Sequence, residues 1–170
     1  KILLAINLLL FFIEFISGLV AASTGLIADS LDMLADATVF GIALFVVGKS
    51  VKKQLKAAHL SGWLQLILAT SVIVDVVRRF IYGSEPESFL MIGIAALALI
   101  ANFYCIYLMS HQKNDGAHMK ASWVFLSNDI IVNFGVICAG ILVALTGSAY
   151  PDLVIGIIVS LFVQIGRASC

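Results

Sequence analysis

Gly25-Leu-Ile-Ala-Asp29-Ser-Leu-Asp32-Met-Leu-Ala-Asp36-Ala-Thr-Val-Phe-Gly-Ile-Ala-Leu-Phe-Val-Val47 is apolar over a length that crosses a bilayer, yet it carries three acids. At helical spacing Asp29, Asp32 and Asp36 fall on one stripe. Each buried carboxylate in such a helix costs roughly 2.5 to 3.5 kcal/mol on insertion scales. Three on one face require something that neutralises them, either protons or a metal cation, and so point to an ion path.

The rest of the chain places this helix in lipid. Of 170 residues 62% are apolar and only 12% charged, and the mean hydropathy of +1.11 lies far outside the range of a soluble globular protein. The formal charge of +0, without any run of Lys and Arg interleaved with aromatics, excludes a broad nucleic-acid face. Cys105, Cys138 and Cys170 are widely spaced, with no CxxC and no His at metal-ligand spacing. Cys105 and Cys138 therefore read as small apolar residues packed between helices. No nucleophile with a paired base, no Gly-rich phosphate loop and no zinc-hydrolase motif supports an enzyme.

Apolar stretches near the ~20 residues that a ~30 Å hydrocarbon core demands recur along the chain. They predict an all-α membrane protein, a six-transmembrane-helix bundle, with spans of approximately Ile2 to Ala21, Gly25 to Val47, Ala57 to Tyr82, Ser88 to Ser110, Met119 to Thr146 and Pro151 to Ile165. The breaks at 22–25, 83–86 and 146–151 are rich in Gly, Ser and Pro. The first stretch lacks a small-residue cleavage site and holds Glu14, so it reads as a retained helix and not a secretory signal. In this arrangement Lys1, Lys49, Lys52, Lys53, Lys56, Lys113, Lys120 and Arg167 fall on one side and only Arg78 and Arg79 on the other. Cations stay on the cytoplasmic side, which makes both termini cytoplasmic. The Arg78-Arg79 pair is balanced by Asp75, or by Glu85 and Glu87, or else anchors at lipid headgroups.

Depth makes the acids more specific. At ~1.5 Å per residue, Asp32 and Asp36 lie about 10 and 16 Å from the Gly25 end, and Asp129 lies about 15 Å from the Met119 end of an oppositely directed helix. The three reach one level from opposite faces. Asp32 and Asp36, four apart, stack on one helix face at a spacing that a single cation bridges. Around Asp129 stand Ser127, Asn128 and, one turn on, Asn133. Ser and Asn here either bond helices together or join the site, whereas a carboxylate is a costly choice for helix glue.

At these residues the chain resembles the cation diffusion facilitator family, six-helix exporters of zinc and related divalent metals. Leu26 to Asp36 resembles the family's D-x-x-[HD]-x-x-x-D element, and Asp129 with Asn133 fits the second metal-binding half. Asn7, Glu14 and Gly18, then Asp75 with Arg78-Arg79, Asn102 and Asp152 extend the match along the whole length. The resemblance implies a transport site of Asp32, Asp36 and Asp129. The family's fourth ligand, usually His or Asp, falls on Phe125, which cannot ligate. Asn128 substitutes for it, or else Asp29, Asn133 or water completes the coordination. An oxygen-rich set without imidazole leans from zinc toward manganese, iron(II), cobalt or magnesium, although carboxylates also bind zinc.

The resemblance implies a metal/proton antiporter that exports zinc, cobalt, iron, manganese or cadmium as cargo, with no permanently bound cofactor. Its partners are the lipid bilayer, the metal ion, protons and a second copy of the chain, and its setting is a bacterial inner membrane. Two alternatives stand beside it: a non-transporting subunit of a heterodimer, motivated by Phe125, and a proton or small-solute carrier whose acids only relay protons. His111 and His118 either gather metal at a loop or are simply solvated, and His59 reads as interfacial. Glu14 and Asn7 share a face of the first helix and either line a vestibule or bond another helix. Trp63, Trp123 and Tyr150 lie at predicted helix ends, where aromatic rings anchor. Residues 1–170 read as a single transmembrane domain with no soluble domain after the sixth span. The ending Ile165-Gly-Arg-Ala-Ser-Cys170 resembles translated adapter sequence, so a truncated C-terminus is expected.

Overall fold

A computed structural model describes residues 2–46, 50–110 and 117–168. The described residues form six helices: α1 (Ile2–Val20), α2 (Thr24–Val46), α3 (Val51–Tyr82), α4 (Ser88–Ser110), α5 (Ala117–Thr146) and α6 (Tyr150–Ala168). Three stretches, His59–Tyr82, Ser88–Ser110 and Leu126–Thr146, are long and apolar enough to cross a membrane, and shorter apolar runs occupy Ala5–Val20 and Tyr150–Leu161. The acids of α2 raise its polarity, but its 23 residues equal α4 in length.

Helix α3 begins at Val51, not at Ala57 where hydropathy places its start, and α6 runs on to Ala168 beyond the expected Ile165. Hydropathy marks where apolar character starts, whereas a helix continues through good helix formers. Lys52, Lys53, Gln54, Leu55 and Lys56 are all such residues.

The helices pack in a ring, α1 to α2, α3, α6, α5, α4 and back to α1, with α2 also touching α5 and α6 across the middle. This central position buries α2 from Thr24 to Ser30 without interruption. The main core joins Leu26 and Ala28 of α2 with Val72, Met91, Ala95, Val132, Val136 and Val159 from the surrounding helices. A second group packs Leu10 and Phe11 on Met33 and Ala98. The opposite faces are apolar and exposed, as lipid requires: Ile131, Phe134, Ile141, Leu142 and Leu145 form one such stripe on α5. Cys138 lies on that stripe and is exposed, so of the two cysteines expected between helices only Cys105 is buried. Trp63, Trp123 and Tyr150 are exposed too.

One end of the bundle is knitted together by its loops. Gly83 and Gly147 take left-handed conformations, with φ of 84° and 65°, just after α3 and α5, where a side chain would be strained. Ala22 is also left-handed at φ 49°, without glycine's freedom, so the turn between α1 and α2 is imposed from outside. Arg79 supplies the constraint: its Nη1 donates to the Ala22 carbonyl and, at 3.2 Å, to Ser84 Oγ, while its Nε donates to Asp75 at 2.5 Å. Ser84 Oγ also donates to the Ala22 carbonyl at 3.1 Å, and the Glu87 amide to the Ala21 carbonyl at 2.8 Å.

The two neighbouring arginines have separate roles. Arg78 pairs with Asp75 at 2.6 Å but leaves 63% of its side chain exposed, whereas Arg79 is 8% exposed. Asp75 thus serves both. Glu87 instead caps α4, accepting from the Leu90 amide at 2.6 Å.

Replacing Arg79 by Ala should leave Asp75 with Arg78 alone and the Ala22 carbonyl with Ser84 alone. The expected loss is about 2 to 3 kcal/mol, between the values for exposed and fully buried pairs. Arg78→Ala should cost less than about 1 kcal/mol. Chemical denaturation of both variants in one detergent measures the difference.

Candidate metal centre

Helices α2 and α5 cross in the middle of the bundle, and there the acids meet. Asp32, Asp36 and Asp129 each present a carboxylate oxygen, and these oxygens lie within 4.8 Å of one another. All three residues are buried, at 6%, 1% and 0% exposure. The local reason is the helical repeat: Asp32 and Asp36 are one turn apart on α2, on the side that faces α5.

No hydrogen-bond donor among the described residues reaches either oxygen of Asp129. A buried carboxylate ordinarily has donors around it, because desolvation is otherwise uncompensated. Three converging acids with at least one so exposed to its neighbours' charge form a site of strongly negative potential. It can hold a cation or retained protons, and an anion would be repelled.

The remaining residues singled out from the sequence separate into distinct settings. Asp29 is fully buried and lies outside the three-oxygen cluster, close enough to Glu14 of α1 and to Asp32 and Asp129 for their charges to act on it. Asn133 donates from Nδ2 to the Asp129 backbone carbonyl at 2.9 Å, and its Oδ1 has no partner among the described residues. Its amide group therefore supports α5 next to the site. Asn128 is half-buried, less enclosed than Asp129 beside it. Ser127 bonds within its own helix, to the Trp123 carbonyl at 2.8 Å, and so does not act as glue between helices. His111 lies outside the described residues, as do the side chains of His118 and Phe125. His59 is exposed.

Two residues carry more than the sequence alone attached to them. Glu14 is 0% exposed and lies near Asp29, in the bundle interior. Asn102 is equally buried, and neither atom of its amide has a partner among the described residues. The signal for both was present: a polar side chain deep in an apolar helix needs a reason, because lipid offers it no partner. Spacing along the chain could not show which helix each one faces.

Comparison with known proteins identifies the family. Residues 1–167 match the cation efflux transmembrane domain. The zinc transporter ZitB of Escherichia coli (strain K12) is 26% identical over 165 residues, which cover 89% of this chain and 52% of that protein. The metal cation efflux system protein CzcD of Cupriavidus metallidurans is 25% identical over 175 residues, covering 96% of this chain and 55% of its own. A cadmium, cobalt and zinc/H(+)-K(+) antiporter of Bacillus velezensis is 22% identical over 165 residues, covering 89% and 53%. The chain thus spans about half the length of the curated relatives it matches. With a domain match running over nearly every residue, the chain belongs to the cation efflux family, the cation diffusion facilitators.

Proposed function

We propose that this domain moves a divalent transition-metal cation out of the cytoplasm in exchange for protons, holding the ion between Asp32, Asp36 and Asp129. The observation that carries the reading is the convergence of three buried carboxylate oxygens within 4.8 Å. A tetrahedral ion with metal–oxygen bonds of about 2.1 Å sets its ligand oxygens about 3.4 Å apart. The acids are therefore within roughly 1.5 Å of a coordinating arrangement, and side-chain rotation covers that distance.

The energetics favour exchange over permanent binding. Three carboxylates in low dielectric repel each other, so without metal the group retains protons. A divalent ion needs them deprotonated and displaces those protons as it binds; protons returning from the other side displace the ion. Alternating access of the site to the two faces turns this competition into antiport. The family membership supports export, and the name of the Bacillus velezensis relative supports proton coupling. In this reading all six helices span, both termini are cytoplasmic, and the loops joined by Arg79 lie on the outer face. The working form is a homodimer in a bacterial inner membrane.

The names of the relatives mention zinc, cadmium and cobalt. An all-oxygen site binds these but discriminates less against manganese or iron(II) than one containing imidazole. Position 125 is where that choice is made, since Phe there supplies no ligand.

In proteoliposomes, Asp36→Ala and Asp129→Ala should each lower cobalt uptake at least 100-fold and abolish the accompanying proton movement, read with an internal pH dye. Cobalt at 100 times its Kd should stabilise the parent by about 2.7 kcal/mol and leave Asp129→Asn unchanged. In chelator Asp129→Asn should unfold at a higher temperature than the parent, because the mutual repulsion is relieved. Phe125→His should raise the preference for zinc over manganese by about ten-fold in competition binding.

A further inference from the structure

The first turn of α2 is held by a side chain from another helix. Asp152, in the first turn of α6, accepts from Ser23 Oγ at 2.7 Å and the Gly25 amide at 3.0 Å through Oδ1, and from the Thr24 amide at 2.6 Å through Oδ2. Ser23 Oγ in turn accepts from the Leu26 amide at 3.2 Å. A helix leaves its first N–H groups unsatisfied, and an N-cap residue ordinarily supplies one acceptor from within the same segment. Ser23 does this for α2, and Asp152 takes two further amides from more than a hundred residues away. Asp152 is fully buried, and its charge meets the positive end of the helix.

Packing at this joint leaves no space for slack. A Cβ on Gly25 would stand 2.9 Å from Ile155 Cγ2, one on Gly135 2.7 Å from Ile155 Cδ1, and one on Gly156 2.6 Å from Thr24 Cγ2. Helices α2, α5 and α6 are therefore in close contact, through Ile155 and Thr24 packed on these glycines, near the point where the hydrogen bonds lie. Sliding α2 by one residue moves it ~1.5 Å and turns its side chains by ~100°. Either motion breaks the bonds to Asp152 and carries Asp32 and Asp36, about two and three turns further on, away from Asp129.

We infer that Asp152 is a positioning residue for the three-carboxylate site: it fixes the axial and rotational register at which α2 presents Asp32 and Asp36 to α5. The link to transport rests on the metal reading above, whereas the register itself can be measured without metal.

The test uses the full chain in detergent, with Cys105, Cys138 and Cys170 replaced by Ser and with Asp32→Cys and Asp129→Cys introduced. A short bis-thiol reagent should link the two positions when Asp152 is present. Linking should fall at least five-fold in Asp152→Ala and also in Gly156→Ala, whose new methyl group pushes against Thr24. Gly93→Ala, where a Cβ meets nothing within 4 Å, should leave it unchanged. With the native acids restored, Asp152→Ala and Gly156→Ala should each weaken cobalt binding about ten-fold by calorimetry. Unchanged linking in monodisperse Asp152→Ala overturns the proposal; if that variant does not fold, unchanged linking in Gly156→Ala overturns it equally. A parent that binds no cobalt while its linking still depends on Asp152 supports the register and overturns the metal reading instead.

Discussion

Mutual repulsion among Asp32, Asp36 and Asp129 is the constraint that the rest of the molecule answers to. Left to themselves, three acids within 4.8 Å in a buried place would separate, and helices that carried them loosely would rotate until they did. They stay together because α2 sits in the middle of the ring, with α1, α3, α5 and α6 all against it. The cost of holding them is of the order of several kcal/mol, and the bundle bears it through close packing away from the site.

Much of that packing lies at one end. The turn from α1 into α2 is pulled into a left-handed Ala22 by Arg79 and Ser84 on one side, and the first turn of α2 is capped by Asp152 on the other. Glycines at 25, 135 and 156 let the side chains of Ile155 and Thr24 pack directly on the neighbouring helices there.

The polar residues above and beside the site extend its influence. Glu14 and Asp29 place two more buried carboxyl groups near each other on α1 and α2, and Asn102 and Asn133 bring amides whose atoms are not all satisfied among the described residues. Such a column is unfavourable in a protein whose only task is to be stable, because buried polar atoms without partners cost about 1 to 3 kcal/mol each.

The amino-acid order by itself determined a great deal. Composition and the length of the apolar runs made this an all-α membrane domain, since lipid permits no open backbone and helices satisfy theirs internally. The cost of charge in that solvent made Asp32, Asp36 and Asp129 stand out, and the rise of a helix put them at one depth. Depth along an axis is local information, but azimuth between helices is not. Only the tertiary structure decided that Asp29 lies near Glu14 of α1, that Arg79 enters the bundle while Arg78 stays outside, and that Asp152 caps α2. Each of these depends on how one helix is rotated against another, a quantity set by the packing of the whole bundle and encoded in no single segment.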